Sequence, residues 1–335
     1  VQSLGAQGDG KLLISSWQSA FGHLLRLDAD GTHDSSFSVG TGFDQPPMQL
    51  ALQPDGRIVA AGSFTTFAGS PCGGVVLLGR DGVRDATFVS GTGFDSTCYS
   101  LVAQPDGRLI LGGTFSYYNG NDVGGIVRLN PDGTLHAALG SSAGPNAGVH
   151  ALALQPDGGI LLGGGFGAVG GAAHAGKARL TSDFAVDPAY GTDISIANSG
   201  SVLSALADGR AWTTDSRYVF NCFAVQRLGR LTATGSMDPY LRTFDLSSTI
   251  PSGIQQADDG RLILIGTSAS RAGSSQTGLV MLKPDVSPLP QIISTVGGGM
   301  VQLGDSVTLS VTATGEGPLT YIWRHDGVVI DDADG

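Results

Sequence analysis

The sequence predicts an all-β fold of six tandem four-stranded units, and three recurring markers carry that expectation. Asp-Gly recurs at Asp55, Asp106, Asp157, Asp208 and Asp259, each 51 residues after the last, with Asp9 a shortened instance 46 residues before Asp55. A second marker lies 26 residues further on, at Asp81-Gly82, Asp132-Gly133, Asp183, Thr234-Gly235 and Asp285, with Asp30-Gly31 in the shortened first repeat. The third is an Asp-x-x-aromatic-or-Leu step, Asp34 to Phe37, Asp85 to Phe88, Asp187 to Tyr190 and Asp238 to Leu241, from which His136 to Leu139 departs. Internal repetition at one period is the signature of a repeat architecture.

Each unit reads as two hairpins. A column of Leu4, Leu50, Leu101, Leu152, Leu203 and Ile254 marks a first strand. Gln53 to Arg57 and Gln104 to Arg108 then turn the chain, Pro fixing φ and Asp-Gly supplying the positive-φ positions of a tight hairpin. The second strand is a short apolar run, such as Ile58-Val59-Ala60 or Leu109-Ile110-Leu111, so both its faces should be covered. It ends in small residues and an aromatic, as in Gly113-Thr114-Phe115, and a Gly-rich loop of variable content follows. The third strand closes on Leu27, Leu78, Leu129, Leu180, Leu231 and Leu282, often after an arginine (Arg26, Arg128, Arg179, Arg230). The second turn leads to a short fourth strand. Four antiparallel strands per unit, packed face to face on their neighbours, form a β-propeller of six blades, or seven in a longer parent chain. A β-solenoid is the rival, but its coils are shorter and do not need two hairpin turns each.

These residues resemble the delta-60 tandem repeat family of bacterial proteins, a β-propeller domain of unknown function. The matching core is Gln104-Pro105-Asp106-Gly107-Arg108, then Gly112-Gly113-Thr114-Phe115, then Arg128-Leu129-Asn130-Pro131-Asp132-Gly133, with Asp85 to Phe88 as the closing step. Repeats two to four carry it best, and the fifth is degraded, with Trp212-Thr213-Thr214-Asp215 in place of the apolar-Gly-Gly run. The resemblance covers residues 1 to about 285 and implies a fold and a large surface or secreted protein. It implies no activity and no catalytic residues.

Composition shifts at Asp285-Val286-Ser287-Pro288-Leu289-Pro290, a Pro-rich linker over 286–290. Beyond it, Gly304 to Val311 alternates and Thr320-Tyr321-Ile322-Trp323 follows, which looks like strands B and C of an immunoglobulin-like β-sandwich over 291–335. Trp323 would be its core tryptophan, and Val311 stands where strand B would carry its cysteine. The segment holds half such a domain, so the expectation is that the parent chain continues with further Ig-like domains. The chain starts at Val1, and its natural N-terminus is expected upstream.

Gly at 53 of 335 residues, only 14% charged residues and 41% apolar residues indicate many short strands and tight turns rather than disorder. The net charge of −11 argues against nucleic-acid partners and anionic membranes. No apolar run is long enough to be inserted in a bilayer as a helix.

In a propeller the two hairpin turns of each blade lie on one face, while the two-to-three and four-to-one connections lie on the other. The second set varies more, and binding usually sits on the varied face. Its candidates are Phe67, Tyr117, Tyr118, Asn119, Asn121 and Asp122 from two-to-three loops, and Asp44 and Asp95 from Thr-Gly-Phe-Asp four-to-one loops. Aromatics with Asn and Asp suit a protein or carbohydrate ligand. Phe43 and Phe94 recur in register and read as blade-packing residues, whereas Tyr117 and Tyr118 do not recur. Cys72 and Cys98 fall on this same face at neighbouring positions, and a disulfide between them is expected, leaving Cys222 unpaired.

No cofactor, metal or catalytic set is expected. One turn aspartate per hairpin is too few for calcium. The six histidines, His23, His33, His136, His150, His174 and His325, hold no repeat register. Gly163-Gly164-Gly165-Phe166-Gly167 is not followed by the Lys-Ser/Thr of a phosphate loop. The favoured reading is therefore an extracellular or cell-surface, non-catalytic binding or scaffolding propeller. The alternative is an extracellular glycan hydrolase or lyase using the varied face, which rests only on analogy with other propellers. An intracellular interaction propeller is the third reading, weakened by the Ig-like tail.

Overall fold

A computed structural model of the chain describes residues 2–174, 176–190, 203–219, 223–238, 244–246, 253–256, 261–271, 274–282, 291–296, 310–314, 321, 323–325 and 328–329. Among them the fold is all-β, with a single helical turn at Gly140–Ala143 and a 3₁₀ turn at Ser19–Phe21. The repeats form antiparallel sheets in chain order. Repeat two pairs Gln49–Leu52, Ile58–Ala61 and Val75–Leu78. Repeat three adds a fourth strand to Cys98–Ala103, Leu109–Gly113 and Ile126–Leu129, namely Leu135–Ala138.

The Gln-Pro-Asp-Gly segment is the tight turn its letters demand. The Gln53 N–H donates to the Arg57 carbonyl at 2.9 Å and the Gly56 N–H to the Gln53 carbonyl at 2.9 Å. Gly56 and Gly107 sit at φ of +83° and +85°, a region that costs a residue with a Cβ about 1 kcal/mol or more. The glutamine reaches further. Gln53 Nε2 donates to the Gly107 carbonyl at 3.3 Å and Gln155 Nε2 to the Gly209 carbonyl at 2.6 Å, so these two turns are tied to the turn of the next repeat.

First strands of successive repeats stand side by side in chain order. Serines stitch them: Leu50 N–H donates to Ser3 Oγ at 3.2 Å and Leu152 N–H to Ser100 Oγ at 2.9 Å. The doubly apolar second strand is buried on both faces, as expected, and the alternation of a strand decides which neighbour each residue meets. Ile58 and Ala60 pack with Leu13, Leu24 and Phe37 of repeat one. Val59 and Ala61 pack with Leu109, Leu111 and Val127 of repeat three. Ile110 in turn packs with Ile160 and Leu162 of repeat four. Each of the fully buried Ile, Val and Leu side chains among these contributes roughly 1.5–3 kcal/mol.

The expected fourth strand is shorter than a strand in most repeats. In repeats one, two and four it shrinks to single bridges, Leu27 to His33, Leu78 to Arg84 and Leu180 to Val186, whereas in repeat five Leu231 bridges to Met237 and Phe244–Leu246 then pairs with Phe223–Leu231 as a fourth strand. The cause is the aspartate of the third marker. Asp34, Asp85 and Asp187 each accept the N–H of the second residue on, at 2.9, 2.9 and 3.0 Å, and bend the chain out of the ladder. The aromatic three residues after the aspartate packs under the next repeat's second turn, where a Cβ at Gly82 would meet the Phe37 ring at 3.0 Å.

Towards the C-terminus, Gln291–Val296 pairs antiparallel with Ser310–Thr314, and Arg324–His325 with Val328–Val329. Val311 lies in that pairing and Trp323 is half-buried. The linker 286–290, Cys222, Asp259 and most of the expected strand over 304–311 lie outside the described residues.

Candidate functional site

The two-to-three loops of repeats two to four are two-residue hairpins. Thr66–Phe67 pairs with Ser70–Pro71, Tyr117–Tyr118 with Asn121–Asp122, and Ala168–Val169 with Ala172–Ala173. Their tips are Ala68-Gly69, Asn119-Gly120 and Gly170-Gly171, all at positive φ, the type I′ geometry that suits strand twist. A single acceptor from the preceding four-to-one loop fixes each hairpin. Asp44 accepts the N–H groups of Thr65 and Thr66 at 2.9 and 3.0 Å, Asp95 those of Ser116 and Tyr117 at 2.9 and 2.9 Å, and Asn146 those of Gly167 and Ala168 at 2.9 and 3.0 Å. Burial works against ionisation of Asp44, but the Thr65 and Thr66 hydrogen bonds outweigh it and hold the carboxyl below its usual range.

This arrangement corrects part of the expected site. Phe67 and Tyr118 are 2% and 0% exposed and face the core, not solvent. They occupy one repeat position with Val169, bridging to Phe43, Phe94 and Pro145. Tyr118 therefore does recur, as an aromatic substitute for an apolar neighbour, and its hydroxyl donates to the Gly133 carbonyl at 2.7 Å. Phe43 and Phe94 are packing residues, with Phe43 4.7 Å from both the Phe64 and Phe67 rings and Phe94 4.2 Å from Phe115. Asn119 Oδ1 accepts the Gly93 N–H at 2.8 Å, and Asn121 Nδ2 donates to the Tyr118 and Asn119 carbonyls at 3.2 Å each. Asp122 accepts the Ser141 N–H and hydroxyl at 2.9 and 2.7 Å. Tyr117, 49% exposed, is the candidate whose ring stands outward.

The Cys72–Cys98 bridge is likewise absent. Both are free and buried. Cys72 packs with Phe43, Phe64 and Phe67, on the side of repeat two that faces repeat one, and Cys98 belongs to the cluster on its other side. Burial pushes the two thiols up, to about 11 and about 12. Proximity on one face did not place them in one layer.

The opposite face carries a set of clasps that sequence reasoning missed. The arginine before the third-strand leucine binds the aspartate eight residues on: Arg26 Nε to Asp34 at 2.7 Å, Arg179 Nε to Asp187 at 2.8 Å and Arg230 Nε to Asp238 at 2.9 Å. A second cation, after the first turn, reaches the same carboxylate. Lys11 lies 2.7 Å from Asp34 and Arg210 3.7 Å from Asp238, and in repeat two, where Leu77 replaces the arginine, Arg57 reaches Asp85 at 3.0 Å. The Lys11 ammonium and then the Ser36 hydroxyl hold Asp34 far below the ordinary carboxylate range. The signal lay in the sequence, as an Arg and an Asp at constant separation. Among the described residues, no three His, Cys, Asp or Glu side chains are placed to hold a metal ion.

A family model described as a domain of unknown function (DUF5122) β-propeller matches residues 7–37, 53–88 and 104–135. Each matched stretch runs from the first-turn glutamine towards the third marker, the unit just described. This chain carries a β-propeller repeat domain. Among solved structures the chain is similar to the WD40 domain of Neurospora crassa Pan2, at 14% identity over 82% of this chain and 78% of that one, with a TM-score of 0.44. It is similar to a glucose dehydrogenase at 14% identity over 84% and 95%, with a TM-score of 0.44. The extracellular domain of a B. thetaiotaomicron hybrid two-component system matches at 14% identity over 82% of this chain and 40% of that one, with a TM-score of 0.32. No curated protein matches the sequence.

Between propeller repeats, the clasp face opens into grooves. One of about 520 Å³ lies between repeats one and two, lined by Gln7, Lys11, Arg26, Gln53 and Arg80 among others. Its counterpart of about 410 Å³ lies between repeats five and six, with Asp208, Arg210, Arg230 and Gln256. On the loop face a smaller cleft of about 140 Å³ separates repeats two and three, beside Phe94 and Asp95.

Proposed function

We propose that this propeller is a non-catalytic binding or scaffolding module, extracellular or at the cell surface, that recognises a protein or carbohydrate ligand on its loop face. The observation that carries the reading is the latch formed by Asp44, Asp95 and Asn146. The acceptor holds the same two N–H groups in three successive repeats while the residue beside it changes from Thr66 to Tyr117 to Ala168. Rigid hairpins with variable outward residues are what a recognition surface needs, because little ordering entropy is lost on binding. The polar side chains of these three hairpins are used in holding backbone, so the face offers shape and exposed aromatics, Tyr117 in repeat three and Trp17 and Phe21 in the two-to-three loop of repeat one. Net charge of −11 suits a surface that repels nucleic acid. Among the described residues no helix is long and apolar enough to cross a membrane.

Wild-type and Tyr117→Ala proteins applied to immobilised oligosaccharides and peptides test this. The expected result is retention of the wild type on a subset and a loss of about tenfold or more for Tyr117→Ala, with unchanged thermal unfolding. Equal retention of both would remove the loop face from the reading. Release of soluble sugar by the wild type would make the face an active site instead.

A further inference from the structure

We infer that repeat three carries an incomplete cation–carboxylate clasp that takes its carboxylate from outside the chain, so that Arg128 is the centre of a binding site for a carboxylate-bearing ligand. Arg128 stands at the position of Arg26, Arg179 and Arg230, but eight residues on the sequence has His136 where the other repeats have Asp34, Asp187 and Asp238. The other partners of the guanidinium are kept or replaced, Phe184 of the next repeat's second turn standing in for the third-marker aromatic, which is Leu139 here. Arg128 Nη2 donates to the Ser182 carbonyl of the next repeat at 2.7 Å, as Arg26 Nη1 does to the Arg80 carbonyl. Its guanidinium lies 4.8 Å from the Phe184 ring centre, as that of Arg26 lies 4.8 Å from Phe37. The side chain is 4% exposed, and its Nε makes no hydrogen bond. Nε is the atom that holds the aspartate in repeats one, four and five.

A second cation shares the lack. Arg108 is the counterpart of Lys11, Arg57 and Arg210, each of which reaches its repeat's clasp aspartate; Arg108 has Asp106 alone as its carboxylate, at 3.0 Å. The local backbone follows the substitution. Without an aspartate to cap a turn, Leu135–Ala138 continues as a strand, with Ala137 opposite Arg128 and the His136 side chain exposed. The family match also stops at 135 in this repeat, while it runs through Asp34 and Asp85 in the two before.

The chemistry of the ligand follows from the intact clasps, which show the same guanidinium engaged by a carboxylate in the same molecule. A buried guanidinium edge without its anion is costly, and two oxygens in a plane match it. The occupant is a carboxylate, borne either by a small acid or by an Asp or Glu side chain of a partner. The site lies on the turn face and does not depend on the loop-face reading.

Thermal unfolding of the whole chain at pH 7.5, with sodium chloride replaced by sodium acetate at constant ionic strength, tests the site, with N-acetyl-aspartic acid amide as a parallel probe. The wild-type midpoint is expected to rise saturably, by roughly 2 °C or more at tenfold excess over the dissociation constant. His136→Asp is expected to start from a higher midpoint and to lose the response, whereas His136→Asn keeps it. A response to both probes means that the carboxylate group alone suffices, and a response to the aspartate probe alone means a partner's side chain. No wild-type response to either probe, or an equal response in His136→Asp, overturns the proposal. If His136→Asp does not fold, Arg108→Gln decides: it should raise the probe concentration needed by roughly tenfold, and an unchanged requirement overturns the proposal.

Discussion

Asp187 gives one carboxylate oxygen to the Ala189 N–H at 3.0 Å and the other to Arg179 Nε at 2.8 Å, so a single side chain ends the outer strand and neutralises a cation. Burial opposes its ionisation, and the Ala189 N–H and Arg179 overcome that to hold its carboxyl below the usual range. Its contribution is therefore complete above the ordinary carboxylate value and is lost as pH falls below about 4. Asp187→Ala should cost about 1–2 kcal/mol at pH 7 in urea unfolding, a value reduced for the partial exposure of Arg179, and the cost should shrink in acid. His174 works in a higher window. It is 2% exposed at the position held by Cys72 and Val123, and burial lowers its proton affinity, with the Lys177 backbone acting the other way. The unfolded chain then binds the proton more readily, so stability is highest above pH 6.5 and declines as pH drops below it. His174→Val should flatten that decline and raise stability at neutral pH by about 1 kcal/mol, read as the unfolding midpoint between pH 5 and 8. His150, also lowered by burial, will leave a residual slope.

Hairpins show which parts of the fold were legible and which were not. The Gln-Pro-Asp-Gly turn and the doubly apolar second strand could be read because the backbone demands them in the same letters each time. The loop hairpins were harder to read, because Ala68-Gly69, Asn119-Gly120 and Gly170-Gly171 share only the second glycine of the tip, in a stretch already rich in glycine. Asn119-Gly120 and Gly170-Gly171 were the available signals, both being dipeptides that favour a two-residue hairpin. Tyr118 was misplaced for the same reason, since its repeat equivalents are Phe67 and Val169. The fourth strand is shorter than the sequence suggests because the recurring aspartate caps a turn at the point where the strand would begin. Ala68 offers a direct check of the hairpin reading. At φ +48° it carries a strain of about 1 kcal/mol that its two counterparts, an asparagine and a glycine, reduce or avoid. Ala68→Gly should raise stability by about 0.5 kcal/mol in urea unfolding, less than the full strain because glycine also gains entropy when unfolded. A loss of stability would mean that the tip does not hold positive φ.

Across the whole molecule the cores lie between repeats, not within them. Leu111 packs with Val59, Val75 and Leu77 of the preceding repeat, while Ile110, its immediate neighbour in the strand, packs with Ile160 and Leu162 of the following one. Stability in such an array is a sum of repeat terms and nearest-neighbour interface terms. Two adjacent substitutions should therefore damage different interfaces. Leu111→Ala and Ile110→Ala should each cost about 2–4 kcal/mol, since both residues are fully buried. Hydrogen exchange measured by repeat would separate them. Leu111→Ala should speed exchange in the strands at 58–61 and 75–78, and Ile110→Ala in those at 160–164 and 177–180. A double substitution of Leu77 and Leu111, 34 residues apart but in one cluster, should be non-additive by about 0.5 kcal/mol or more, whereas Ile110 with Leu111 should come closer to additive. Identical exchange patterns for the two single variants would mean that the strand belongs to one core, and that the repeats do not stack face to face.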